Sequence, residues 1–177
     1  MSRTSYSVAL GGIISAVCVL LEFSVGILPL FLYIFPMICA ILINILVEEC
    51  GMKTAVSAYA AVSIISALIC PDKEAVAMFA GFFGYYPIAR VYIQRLVSRV
   101  LRWIVKLVIF NIAIVLSYLM LIWIMGLEQL GLDGAVYMNI ILLAVGNAIF
   151  IMFDIILARL LRLYNSRYRG RFFRGRR

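Results

Sequence analysis

The chain has 177 residues, 66% of them hydrophobic and 14% charged, with a mean hydropathy of +1.12 and a net charge of +8. A soluble domain is nearer half apolar and a quarter charged, and a chain this short has too little interior to bury so much apolar surface. A water-soluble fold is therefore excluded, lipid is the expected solvent, and the absence of histidine removes the commonest general base and metal ligand.

A spanning helix needs about 20 mostly apolar residues, and six stretches meet that requirement. The first covers residues 7–28, with Glu22 its only charge and Pro29 after it. The second covers 30–47, with Pro36 inside and Glu48 and Glu49 at its end. The third, 52–70, is rich in Ala and Ser. A short turn follows at Pro71 to Glu74, with Asp72 placed to cap the next helix. The fourth covers 75–91 and is bent or ended near Pro87. The fifth covers 103–125 and the sixth 135–158. No linker, low-complexity insert or repeat interrupts them, so the expected organisation is one transmembrane domain over 1–166 and a basic tail over 167–177. Cys18, Cys39, Cys50 and Cys70 form no CxxC pair and read as small residues facing lipid or another helix. Val17 is too bulky for a lipoprotein cleavage site before Cys18, so the first segment is read as retained.

Basic residues orient the set, because Lys and Arg stay preferentially in the cytoplasm. With the N-terminus inside, 15 of the 16 basic residues fall on the cytoplasmic side and only Lys73 falls outside. The expected fold is an all-α membrane protein with six transmembrane helices and both termini cytoplasmic. Trp103 and Trp123, 20 residues apart, are separated by about 30 Å along a helix, the thickness of the hydrocarbon core. Between helices four and five, Arg95, Arg99, Arg102 and Lys106 follow a 4, 3, 4 spacing with apolar residues between them. That spacing predicts a basic amphipathic helix at the inner leaflet, leading into the fifth span. The tail interleaves arginines with Tyr168, Phe172 and Phe173. Such a pattern binds RNA in some proteins, but in a membrane chain anionic lipid headgroups account for it, at roughly 1 kcal/mol per basic residue, and nucleic acid is not expected.

Ionisable groups at membrane depth are expensive, so each is a candidate for function. Glu22, near the outer end of the first helix, either faces an outward cavity that takes a cationic or hydroxylated ligand or is a carboxylate wetted at the interface. Asp154, in the inner part of the sixth helix, either forms a structural ion pair with Arg90 or Lys106 or couples to protons. Lys73, between Asp72 and Glu74, either clamps an anionic ligand group or belongs to a capped, solvated turn. Asn139 and Trp123 lie near the outer face and complete the candidate substrate site. On the first helix, Ser5, Ala9, Gly12 and Ala16 recur at 4, 3 and 4 and form a smooth face for another helix of the same chain or of another subunit.

No nucleophile with a base, metal-ligand cluster, Walker motif or dinucleotide fingerprint is present, so neither an enzyme nor a self-powered transporter is expected, and no cofactor or metal. In layout the chain resembles the substrate-binding S components of energy-coupling factor transporters: small bacterial proteins of six helices with both ends in the cytoplasm. Those components carry a small-xxx-small motif in the first helix, and here Gly12 and Ala16 stand in its place, with Ala9 on the same face. The resemblance implies a partnership with a transmembrane coupling protein and two ABC-type ATPases in the bacterial cytoplasmic membrane. It also implies a small-molecule site near the outer surface, under the loops at 22–29, 71–74 and 126–134. The segment from Pro71 to Ala75, followed by Phe82 to Ile88, is also similar to uncharacterised Firmicutes membrane proteins. Two other readings remain: a structural or assembly protein resembling six-helix cell-shape proteins, with partner helices and no ligand, and a small lipid-handling protein whose basic inner face gathers anionic lipid.

Overall fold

The computed structural model describes residues 3–125 and 136–167. Every regular element among them is helical. Residues 1–134 and 135–177 form two separate compact units.

In the first unit, α1 (Arg3–Val25) is followed by a tight 3-10 turn at Pro29–Phe31 and then by α2 (Ile34–Cys50). Pro36 lies in the first turn of α2, where its missing N–H leaves no bond unmade, so the helix starts around it and is not bent by it. Gly51 alone separates α2 from α3 (Met52–Ile69); its φ of +87° lies in the left-handed region, which a side chain disfavours. After the Pro71–Asp72 turn come α4 (Lys73–Met78), a π-helical stretch (Phe79–Phe83) and α5 (Tyr86–Ile93). Pro87 stands in the first turn of α5. The run is interrupted at Gly84 and Tyr85 just before it, so the break expected near Pro87 is present, with the proline opening the helix that follows. The last helix of this unit is α6 (Arg99–Met125). The second unit contains α7 (Val136–Arg167), a single helix of 32 residues.

Among the described residues, five helical stretches are long and apolar enough to cross a membrane: α1, α3, the α4–α5 run, α6 and α7. In length and composition they match those of a multi-pass membrane protein. At 17 residues α2 is the shortest of the long helices.

The core of the first unit follows from residue size. On α3, Ala55, Ala58, Val62 and Ser66 recur at 3, 4 and 4 and are all buried, so small side chains let α1 and α2 approach closely. They meet Ile14 and Cys18 of α1 and Cys39, Ile43 and Leu46 of α2. Phe79 closes this cluster from the π-helical stretch, where the Gly84 N–H bonds the Phe79 carbonyl at 2.7 Å. A wider turn leaves a carbonyl without its usual helical partner. Here the Tyr59 hydroxyl donates to the Ala80 carbonyl at 2.8 Å. Gly84 makes that possible: a Cβ there would lie 2.6 Å from the Tyr59 ring. Phe82 packs at 5.0 to 5.3 Å against Phe83, Tyr86 and Phe110, tying α6 to this region.

The expected amphipathic helix between the fourth and fifth spans does not form as a separate element. The chain leaves α5 through short turns, with Arg95 N–H on the Tyr92 carbonyl and Leu96 N–H on the Ile93 carbonyl, both at 3.1 Å. It restarts beyond Ser98, whose carbonyl accepts from Arg102 N–H at 3.1 Å. Arg95 is therefore in the turn, its guanidinium 5.3 Å from the Tyr92 ring centroid. Only Arg99, Arg102 and Lys106 share a helical face, that of the first two turns of α6.

Candidate functional site

The buried stripe of α1 consists of Gly11, Ile14, Cys18, Glu22 and Val25, at intervals of 3, 4, 4 and 3. This is the repeat of a helix that packs along one seam. Glu22 continues a face otherwise made of small and apolar side chains. It is 0% exposed, and the Cys39 thiol is the polar side chain that reaches its carboxyl.

Two further helices, α2 and α3, and one turn lie around it. From α2, the buried Cys39 thiol stands beside the carboxyl and donates to the Cys18 carbonyl at 3.7 Å. From α3, the Ser66 hydroxyl is buried and hydrogen-bonds with the Cys70 thiol. Cys70, at the end of α3, neighbours both Ser66 and Glu22. The turn at Pro71 lies against Gly26, just past the end of α1.

Asp72 caps α4, its Oδ1 accepting from Glu74 N–H at 2.9 Å and Ala75 N–H at 3.0 Å. It is close enough for its charge to act on Glu22. Lys73 turns its ammonium back onto the C-terminal end of α3, donating to the Ala67 carbonyl at 2.9 Å and the Cys70 carbonyl at 3.0 Å. Those carbonyls have no helical partner, and a cation there also meets the negative end of the helix dipole. Glu74 accepts a long contact of 3.5 Å from the Tyr33 hydroxyl. No three of His, Cys, Asp and Glu among the described residues stand where they could hold a metal ion together.

Four of the six expected substrate-site residues, Glu22, Asp72, Lys73 and Glu74, thus gather at one end of the first unit. Trp123 does not join them: it is 87% exposed on α6. Asn139 is on α7, with its side chain outside the described residues, as are the 126–134 segment and the tail from 168. The sequence reading missed Cys39 and Cys70 as neighbours of Glu22, Ser66 as the partner of Cys70, and Tyr33 as the partner of Glu74. The periodicity of α1 could have shown that Glu22 points inward; nothing local could have shown which side chains it meets.

The expected docking residues Ala9, Gly12 and Ala16, with Ser5, are all exposed, and a Cβ added at Gly12 would meet nothing within 4 Å. No helix of the first unit occupies that face. Of the expected ion-pair residues, Arg90 is on α5, and Lys106 on α6 holds its ammonium 5.0 Å from the Trp103 ring centroid. Asp154 is on α7, on the same face as Phe150, Phe153 and Leu157 by helical spacing. Comparison of the chain with known protein families, curated proteins and solved structures returns no match.

Proposed function

We propose that the protein is the substrate-capture subunit of an energy-coupling-factor-type importer for a small polar metabolite. In this reading it crosses the bacterial cytoplasmic membrane six times, with both ends inside. The sixth span is α2, whose 17 residues reach the lower limit for crossing. The basic residues of α6 and the tail hold anionic lipid. The observation that carries the reading is the fully buried Glu22 carboxyl, within reach of the charge of the Asp72–Glu74 turn. At membrane depth such a group marks a ligand or ion path. The open Ala9, Gly12 and Ala16 face supports the second half of the reading, in which a coupling protein docks on α1 and two partner ATPases drive release inward.

Gentle affinity purification from native membranes, with mass spectrometry of what co-purifies, tests this directly. Two ABC-type ATPases and a polytopic coupling protein are expected, and Gly12→Leu should lose them. Recovery of cell-wall or division proteins without any ATPase would overturn the proposal. It would favour a structural role in the envelope, a reading that the same open α1 face supports because that face needs no ligand to be complete.

A further inference from the structure

We infer that the connection between α1 and α2, residues 26–33, is a lipid-seated tip whose partner is the acyl chains of one membrane leaflet. This goes beyond the substrate-capture reading, since it requires neither a substrate nor a partner protein, and it holds on whichever side of the membrane that end lies. Charge gives the first reason. No charged residue stands between Glu22 and Glu48, and 26–33 reads Gly-Ile-Leu-Pro-Leu-Phe-Leu-Tyr. The neighbouring turn that begins at Pro71 carries Asp72, Lys73 and Glu74. The two connections meet at Gly26 and Pro71, and again where the Tyr33 hydroxyl reaches Glu74 at 3.5 Å. They are built for opposite solvents, and Tyr33, which joins them, is the amphipathic residue type found at headgroup level.

Exposure gives the second reason. Leu30 is 90% exposed and Ile27 71%. Leu20, Phe23 and Ile27, at intervals of 3 and 4, carry the open apolar face of α1 into the turn. Leu30, Ile34 and Ile38, at intervals of 4 and 4, carry it out along α2. The surface that these helices offer to lipid thus continues around the turn, where water would make such a patch a liability. Length gives the third. The apolar part of α2, residues 34–47, rises about 21 Å, roughly 9 Å less than the hydrocarbon core. With Glu48 and Glu49 at the polar boundary on one side, the other end of α2 stops inside the opposite leaflet, and the turn fills the remainder. Backbone donors at that depth need internal partners. Gly26 N–H bonds the Phe23 carbonyl at 3.2 Å, Ile27 and Leu28 N–H bond the Ser24 carbonyl at 3.1 and 2.9 Å, and Phe31 N–H bonds the Leu28 carbonyl at 3.0 Å. Pro29, between them, has no N–H to satisfy.

The test places a nitroxide spin label on Leu30→Cys, and separately on Ile27→Cys, in the full chain in lipid nanodiscs. Cys18, Cys39 and Cys70 are buried and Cys50 is half-buried, so the unsubstituted chain treated with the same label gives the background. Collision of the label with oxygen, which concentrates in lipid, is compared with collision with a water-soluble nickel chelate. The oxygen rate at both positions should be several times the nickel rate. A nickel rate above the oxygen rate would place the turn in water and overturn the inference. Low rates with both reagents would overturn it too, by showing that protein covers the tip, a second copy of the chain included. Both substitutions are at strongly exposed positions, and either one alone decides the solvent. Co-purification of ATPases bears on the transporter reading and leaves this inference untouched, and a turn found in water leaves that reading standing.

Discussion

Gly11 and Gly12 are neighbours in sequence and stand on different faces of α1. A Cβ added to Gly11 would lie 3.2 Å from Thr54 Cγ2, whereas one added to Gly12 would meet nothing within 4 Å. The Gly11 face continues through Ile14, Cys18, Glu22 and Val25 and is buried; the Gly12 face runs through Ser5, Ala9 and Ala16 and is exposed. The second is built of small residues, whereas the first joins Gly11 and Cys18 to Ile14, Glu22 and Val25; in lipid both are permitted, since hydrocarbon solvates an exposed apolar face as readily as another helix does. The difference teaches that a small-residue stripe is evidence of close approach only where another helix is present. On the first face α3 is present; on the second, a partner would have to bring it.

The largest expected effect breaks the comparison if it fails. Gly11→Leu should cost about 3 kcal/mol through overpacking against Thr54, measured by thermal unfolding of the purified chain. Gly12→Leu should stay within about 0.5 kcal/mol. Equal losses at the two positions would mean that the open face is covered after all. Next in size is Glu22→Leu, which should stabilise the chain by about 2 kcal/mol while abolishing ligand binding, because it replaces a buried acid with an apolar group of similar size. A loss of stability there would show that the Cys39 contact outweighs the cost of burying the acid. On the packed side, Tyr59→Phe should cost about 1.5 kcal/mol, since the Ala80 carbonyl of the π-helical stretch loses its donor. Asp72→Ala should cost about 1 kcal/mol by removing the α4 cap. A null result in the unfolding curve would show that this turn is held by the Gly26–Pro71 contact instead.

Much of this architecture was legible in the sequence. The helical class follows from apolar runs of spanning length, because backbone groups in lipid must be satisfied within the segment. Asp72 was legible as a cap because a short acceptor ahead of free N–H groups is a local arrangement. The gathering of Glu22 with Asp72, Lys73 and Glu74 was legible in outline, since a hairpin-like chain order returns the end of one helix to the start of another. The π-helical stretch was not. It depends on Gly84 and Gly81 admitting Tyr59 of α3 and Ser117 of α6, and those contacts cross 25 to 36 residues of chain. The break at 94–98 was hidden as well, because a 4, 3, 4 spacing of basic residues shows which side chains would share a helical face, not whether the backbone completes the helix.

By itself, the sequence determined the solvent of this protein, its helical class and the distribution of its charges along the chain, because these depend on composition and on spacings within one segment. Only the tertiary structure decided that Glu22 is buried beside Cys39, that Lys73 is held by the end of α3, and that one face of α1 is packed while the next is open. Each of these depends on which surfaces of distant segments meet, and hydropathy cannot specify that where lipid and protein are equally apolar.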